Sequence, residues 1–109
     1  MTEFEFDQMV NDTCDSIKKI LVKKGKGYRR NENVFHNFEE AARKKQISRE
    51  VALDFMALKH EISIDDMTKD LDKGILPTEA IIEEKFGDAI NYLIIKKAMF
   101  LDKINPKRK

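Results

Sequence analysis

The segment 77–103, PTEAIIEEKFGDAINYLIIKKAMFLDK, constrains the fold more than any other stretch of the chain. Wound as a helix, it has two apolar faces. Ile82, Phe86, Ala89, Ile90, Leu93, Ile94, Phe100 and Leu101 make the first; Ile81, Tyr92, Ile95, Ala98 and Met99 make the second. Glu84, Asp88 and Asn91 fall inside that second stripe. A surface helix needs one apolar face, so a helix with two belongs at the centre of a domain or at a subunit interface. Two carboxylates and an amide in line on an apolar face need a reason, and they are the first clue to function.

The rest of the chain reads as helix too. Phe6, Met9, Val10, Thr13, Ile17, Ile20 and Leu21 recur at three- and four-residue spacing within 2–24, the mark of an amphipathic helix. Its acidic start and basic end suit the helix dipole, and Gly25 marks a stop. Asn33 is placed to cap a second helix of about three turns carrying Val34, Phe35, Phe38, Ala41 and Ala42. Ser48 caps a third that runs to about Lys73. It has Val51, Phe55, Leu58 and Ile62 on one side and Leu53, Ala57, Ile64, Met67 and Leu71 on another. Gly74 and Pro77 then punctuate the turn into the fourth. No run alternates at period two for long enough to suggest a sheet. Four helices with loops of about 3–10 residues predict an all-α fold, a four-helix antiparallel bundle. We expect one domain over 1–104 and a basic tail over 105–109, with the doubled apolar surface of the fourth helix promoting homo-oligomer formation.

Composition narrows the function classes. With 21 basic and 20 acidic residues in 109, charge nearly cancels, which argues against a dedicated nucleic-acid coat. The single cysteine, Cys14, cannot form an internal disulfide and fits a reducing cytoplasm. It falls beside the apolar stripe of the first helix, so a buried, inert thiol is expected. No basic start precedes a long apolar run, and no stretch reaches about 18 uninterrupted apolar residues, so neither signal peptide nor membrane span is expected. A cytoplasmic protein follows.

Two places carry candidate chemistry. In 23–33, KKGKGYRRNEN, five cations (Lys23, Lys24, Lys26, Arg29 and Arg30) bracket Tyr28. Such a loop is either solvated surface or a device for holding phosphates and stacking a base. On the fourth helix Glu84 and Asp88 lie at i, i+4, one turn apart on one face. Hard ions such as Mg²⁺ or Mn²⁺ take oxygen ligands of this kind, often one or two carboxylates plus substrate phosphates. Asn91 extends the face and is placed to orient a base or a water. Glu61 and Asp65 repeat the spacing and read as surface charge; His36, alone, reads as a surface histidine. The third helix bears two polar strips, Lys59/Ser63/Asp66/Asp70 and Asp54/Glu61/Asp65, and periodicity does not choose between them. Lys59 either meets a phosphate or pairs with Asp66. No nucleophilic triad, P-loop, zinc spacing or dinucleotide fingerprint occurs, so metal-assisted hydrolysis is the one reaction these residue types support.

NVFHNFEEAA (33–42), LKHEISIDDM (58–67) and EEKFGDAINYLI (83–94) resemble a family of small phage and prophage proteins associated with nucleotide modification. That family is similar, more distantly, to the all-α NTP pyrophosphohydrolases of the MazG and dUTPase type. The resemblance spans 27–101 and implies a helical, usually oligomeric protein of a bacterial host's cytoplasm. Such a protein binds a nucleotide through Mg²⁺ held by acidic residues. By motif it assigns Lys59, Ser63 and Asp66 to the site-facing strip of the third helix, and Glu84, Asp88 and Asn91 to that of the fourth. Glu84, Asp88 and Asp66 become metal ligands and Lys59 and Asn91 nucleotide contacts; Tyr28, Arg29 and Arg30 join them as nucleotide contacts on the residue types of the basic loop alone. One departure is plain: the pyrophosphohydrolase signatures E-x-x-E and E-x-x-D do not occur, and the spacing here is E-x-x-x-D. Three readings stay open. They are a Mg²⁺-dependent nucleotide pyrophosphohydrolase, a non-catalytic protein sequestering a nucleotide or nucleotide-derived signal against host defence, and an interaction module self-associating through the second face of the fourth helix.

Overall fold

Three hydroxyl side chains set where three of the helices begin. In the computed structural model, which describes residues 1–23 and 33–105, the Thr2, Ser48 and Thr78 hydroxyls accept from the backbone N–H of Glu5, Val51 and Ile81 at 3.1, 3.2 and 3.2 Å. Each satisfies a donor that a helix start leaves orphaned. The helices they open are α1 (Glu3–Lys18), α3 (Arg49–Asp72) and α4 (Glu79–Ile104). α1 continues into a π-helical turn, Lys19–Lys23. α2 spans His36–Lys45. All the regular elements among the described residues are helical, and none of these helices is long and apolar enough to cross a membrane.

α2 starts differently from the sequence expectation. Phe35, not Asn33, holds the cap position, with no side-chain cap bond. Asn33 acts from two residues earlier: its Oδ1 accepts from the Phe35 N–H at 3.0 Å while its Nδ2 donates to Glu39 Oε1 at 2.6 Å. A short amide can mimic a backbone turn in this way, which moves the helix start to His36. At the far end of α3, Gly74 adopts φ +76° and donates to Leu71 O, while Ile75 donates to Asp70 O. This paired closure needs a left-handed residue just past the helix, where glycine has no Cβ penalty.

Packing runs α2 on α3, α3 on α4, and α1 on α4. Phe35, Phe38, Leu53, Ala57 and Met99 form the core, with Met56, Tyr92, Ile95 and Ala98 packed against it. The core thus joins α2, the first half of α3 and the second half of α4. It is locked by Arg49, the first residue of α3. The Arg49 guanidinium donates to Glu39, Glu50 and Asp102, each at 2.9 Å, and lies 4.5 Å from the centre of the Phe35 ring. Partial burial works against its charge, but hydrogen bonds to Asp102, Glu50 and Glu39 outweigh that and raise its pKa well above the ordinary arginine range. Lys96 on α4 adds a 2.7 Å contact to Asp54 on α3.

Two expectations are corrected by burial. Cys14 is exposed, because α1 buries none of its residues within the protomer. And the two faces of α4 separate the opposite way from an interface on the second: Tyr92, Ile95, Ala98 and Met99 of that face pack into the core. The first face stays open, with Phe86 45%, Leu93 67% and Phe100 59% exposed. The radius of gyration, 16.3 Å, exceeds the roughly 13 Å of a compact domain of this length.

Candidate functional site: a cavity between the helices

All four helical segments contribute to one cavity of about 640 Å³, a size typical of small-molecule sites. The π-helical turn that follows α1 supplies Ile20 and Leu21. From α2 come Phe38, Ala41, Glu40 and Lys44, from α3 Met56 and His60, and from α4 Asp88, Asn91, Tyr92 and Ile95. The spacing on α4 explains the last group: positions 88, 91, 92 and 95 fall on one face of a helix. That face belongs to the second stripe of the sequence, so two of its three polar members, Asp88 and Asn91, are delivered to a cavity wall inside an apolar surround.

The wall has a definite chemistry. His60 Nδ1 lies 3.5 Å from Asp88 Oδ2, an ion-pair distance that counts as charged only when the imidazole is protonated. The His60 ring leans over Tyr92, with centroids 5.3 Å apart and planes 32° from parallel, and Phe38 meets Tyr92 edge-on at 6.4 Å. Asn91 is 8% exposed, and its Oδ1 is buried with no hydrogen-bond partner. Leaving a buried acceptor unpaired costs about 1–3 kcal/mol. At the rim, the Glu40 carboxylate sits 2.8 Å from Arg43, whose hydrogen bond and charge hold it below the ordinary glutamate range. An apolar cleft with an aromatic–imidazole pair, the carboxylates of Glu40 and Asp88 and the Asn91 amide is suited to a flat, heteroatom-bearing ring.

The sequence-derived residues divide. Asp88 and Asn91 line the cavity. Lys59, Asp66 and Glu84 are exposed and lie outside its lining, and Glu84 sits 3.9 Å from Lys85. No ion pair joins Lys59 to Asp66; Lys59 uses its carbonyl to accept from Ser63 Oγ at 2.9 Å. Tyr28, Arg29 and Arg30 lie outside the described residues, as does Gly25. His60 was not singled out by sequence reasoning. The signal for it was its place on the Leu53/Ala57/Ile64/Met67 stripe, where a polar ring is out of keeping.

The fit to magnesium follows from these positions. Among the described residues no three His, Cys, Asp or Glu side chains gather to hold a metal ion, so Glu84, Asp88 and Asp66 do not assemble as a set. Asp88 alone of the three faces the cavity. These residues do not build a metal site of their own. No protein-family model, no curated protein and no solved structure matches the chain. What fold and cavity define is therefore a class: an all-helical protein with an aromatic-lined cavity where its helices converge.

Proposed function

We propose that this protein binds a nucleotide or nucleotide-derived small molecule in the cavity between its helices, and does so as a binder and not as a hydrolase. The observation that carries the reading is the set of groups lining a cavity of ligand size: the paired His60 and Tyr92 rings, the Asp88 carboxylate and the nearly buried amide of Asn91. The His60–Tyr92 plate supplies a surface on which a base stacks, and Lys44 at the edge supplies a cation for a phosphate. The resemblance of three motifs to phage nucleotide-modification proteins points to the same ligand class. Turnover is disfavoured because the acidic residues are not gathered about one point and the pyrophosphohydrolase signatures do not occur. Sequestration of a nucleotide signal is the form of binding that this combination supports.

The protomer in this reading is a four-helix antiparallel bundle that works as a homo-oligomer. Val51, Phe55, Leu58 and Ile62 on α3 and Phe86, Leu93 and Phe100 on α4 are each 41–67% exposed, and large apolar side chains left open in this number favour association. The deciding experiment is a thermal-shift screen of nucleotides and cyclic nucleotides, with and without Mg²⁺, followed by an assay for released pyrophosphate. A rise in melting temperature with the ligand recovered unchanged is expected. No shift with any nucleotide removes the reading, and release of pyrophosphate replaces it with the hydrolase.

A further inference from the structure

We infer that the base this cavity selects is guanine, an inference that rests on the nucleotide reading above. The acceptor that α4 presents to the cavity is the Asp88 carboxylate. Asp88 is 39% exposed at its side chain even with His60 beside one oxygen, so the carboxylate remains open to the cavity that it lines. One turn on, the same face carries Asn91, whose Oδ1 is turned into the protein and out of reach of the cavity, which leaves its amide N–H to meet a ligand. A carboxylate accepts only, through two oxygens, so it favours a ring edge with two adjacent donors. Among the common bases only guanine has one, its N1–H beside the C2 amino group. Adenine sets the N1 lone pair next to its amino group, cytosine does the same with N3, and uracil flanks its one N–H with two carbonyls. Each of those edges turns at least one lone pair toward Asp88. Guanine also has an O6 acceptor for the amide N–H of Asn91, and its rings are wide enough to lie on the His60–Tyr92 plate.

The discriminating experiment is isothermal titration of the full chain with the 5′-mono- and triphosphates of guanosine, inosine, adenosine and xanthosine. Inosine lacks only the C2 amino group, and xanthosine replaces it with a carbonyl. Guanosine nucleotides should bind at least about tenfold more tightly than inosine nucleotides, the scale of one hydrogen bond to a charged acceptor. Adenosine and xanthosine nucleotides should bind more weakly still. Asp88→Asn should lose the guanine preference and gain xanthosine binding, because an amide can donate to the new carbonyl. Inosine equal to guanosine in the unaltered protein, a comparison that needs no variant, overturns the assignment while leaving nucleotide binding intact. Binding of none of the four bases also overturns the guanine assignment, while the nucleotide reading falls only if the wider thermal-shift screen is negative as well.

Discussion

His60 and Asp88 lie 28 positions apart in the sequence and 3.5 Å apart in space, Nδ1 to Oδ2, across the junction of α3 and α4. Their meeting turns two ordinary surface-type residues into one wall of a cavity. The imidazole is held between that carboxylate and the Tyr92 ring, so its orientation is set from two sides. The proposed binding depends on such convergence between helices, and so do the outcomes below.

Asn91 should trade stability for binding. Its unpaired Oδ1 is buried, and a leucine in its place removes an unsatisfied acceptor and fills space beside the cavity. Asn91→Leu is expected to stabilise the free protein by about 1 kcal/mol and to abolish the nucleotide-induced rise in melting temperature. Urea denaturation and thermal shift of the same variant check both halves. A destabilised variant that still responds to nucleotide contradicts the role given to Asn91.

Arg49 should be the most sensitive polar residue of the fold. It is 16% exposed at its side chain and holds Glu39, Glu50 and Asp102. Arg49→Met leaves three carboxylates facing one another without their cation. Since Glu39 and Asp102 are more than a third exposed, water screens part of the loss, and a cost of about 2–3 kcal/mol is expected. Arg49→Lys should recover less than half of it, because an ammonium cannot reproduce the planar fork. Equal stability of Arg49→Met and the unaltered protein in urea would falsify this view of the core.

These outcomes also show what the sequence makes legible. Ser48 and Gly74 are local signals, and they place the ends of α3 correctly because caps act within a turn of where they stand; Pro77 marks the start of α4 to within two residues, the cap itself being Thr78. Asn33 misleads by two residues, since an amide can serve either as a cap or as the turn before one. Cys14 sits beside a true apolar stripe, but periodicity marks a stripe without saying whether anything covers it. For Asp88 and Asn91 the clue was their place among apolar neighbours, and the cavity lies there. Arg49 and His60 escaped notice because their partners are 53 and 28 positions distant, and no local spacing encodes a contact of that range.

Acid should weaken the fold through Glu50. Partial burial works against its ionisation, but the hydrogen bond from Arg49, its own backbone N–H and the charges of Lys103 and Arg49 outweigh that, so its carboxyl titrates below the ordinary range. A proton therefore binds the unfolded chain more readily than the folded one. The contribution is whole above the ordinary glutamate value of about 4.3, and it is lost as pH falls through the lower folded value. Melting curves from about pH 6 to about pH 3 should show a shallower acid decline in Glu50→Gln than in the unaltered protein. Parallel declines would remove Glu50 from the account.

Open apolar surface should bring copies together. Light scattering after gel filtration is expected to give a mass that is a multiple of the 12.8 kDa protomer. Phe55→Asp and Leu93→Asp, at positions 67% exposed in the protomer, should each shift the mass downward without loss of helical circular dichroism. A single protomer mass across micromolar concentrations contradicts the proposed assembly.

The most direct test of nucleotide binding in this cavity is a nuclear magnetic resonance titration of the labelled full chain with a nucleotide found by the thermal-shift screen. If the ligand enters between the helices, the Asn91 side-chain amide and the His60 and Tyr92 ring signals move together and saturate with one binding constant. Saturable binding that leaves these three unmoved, or no perturbation at millimolar nucleotide, contradicts it.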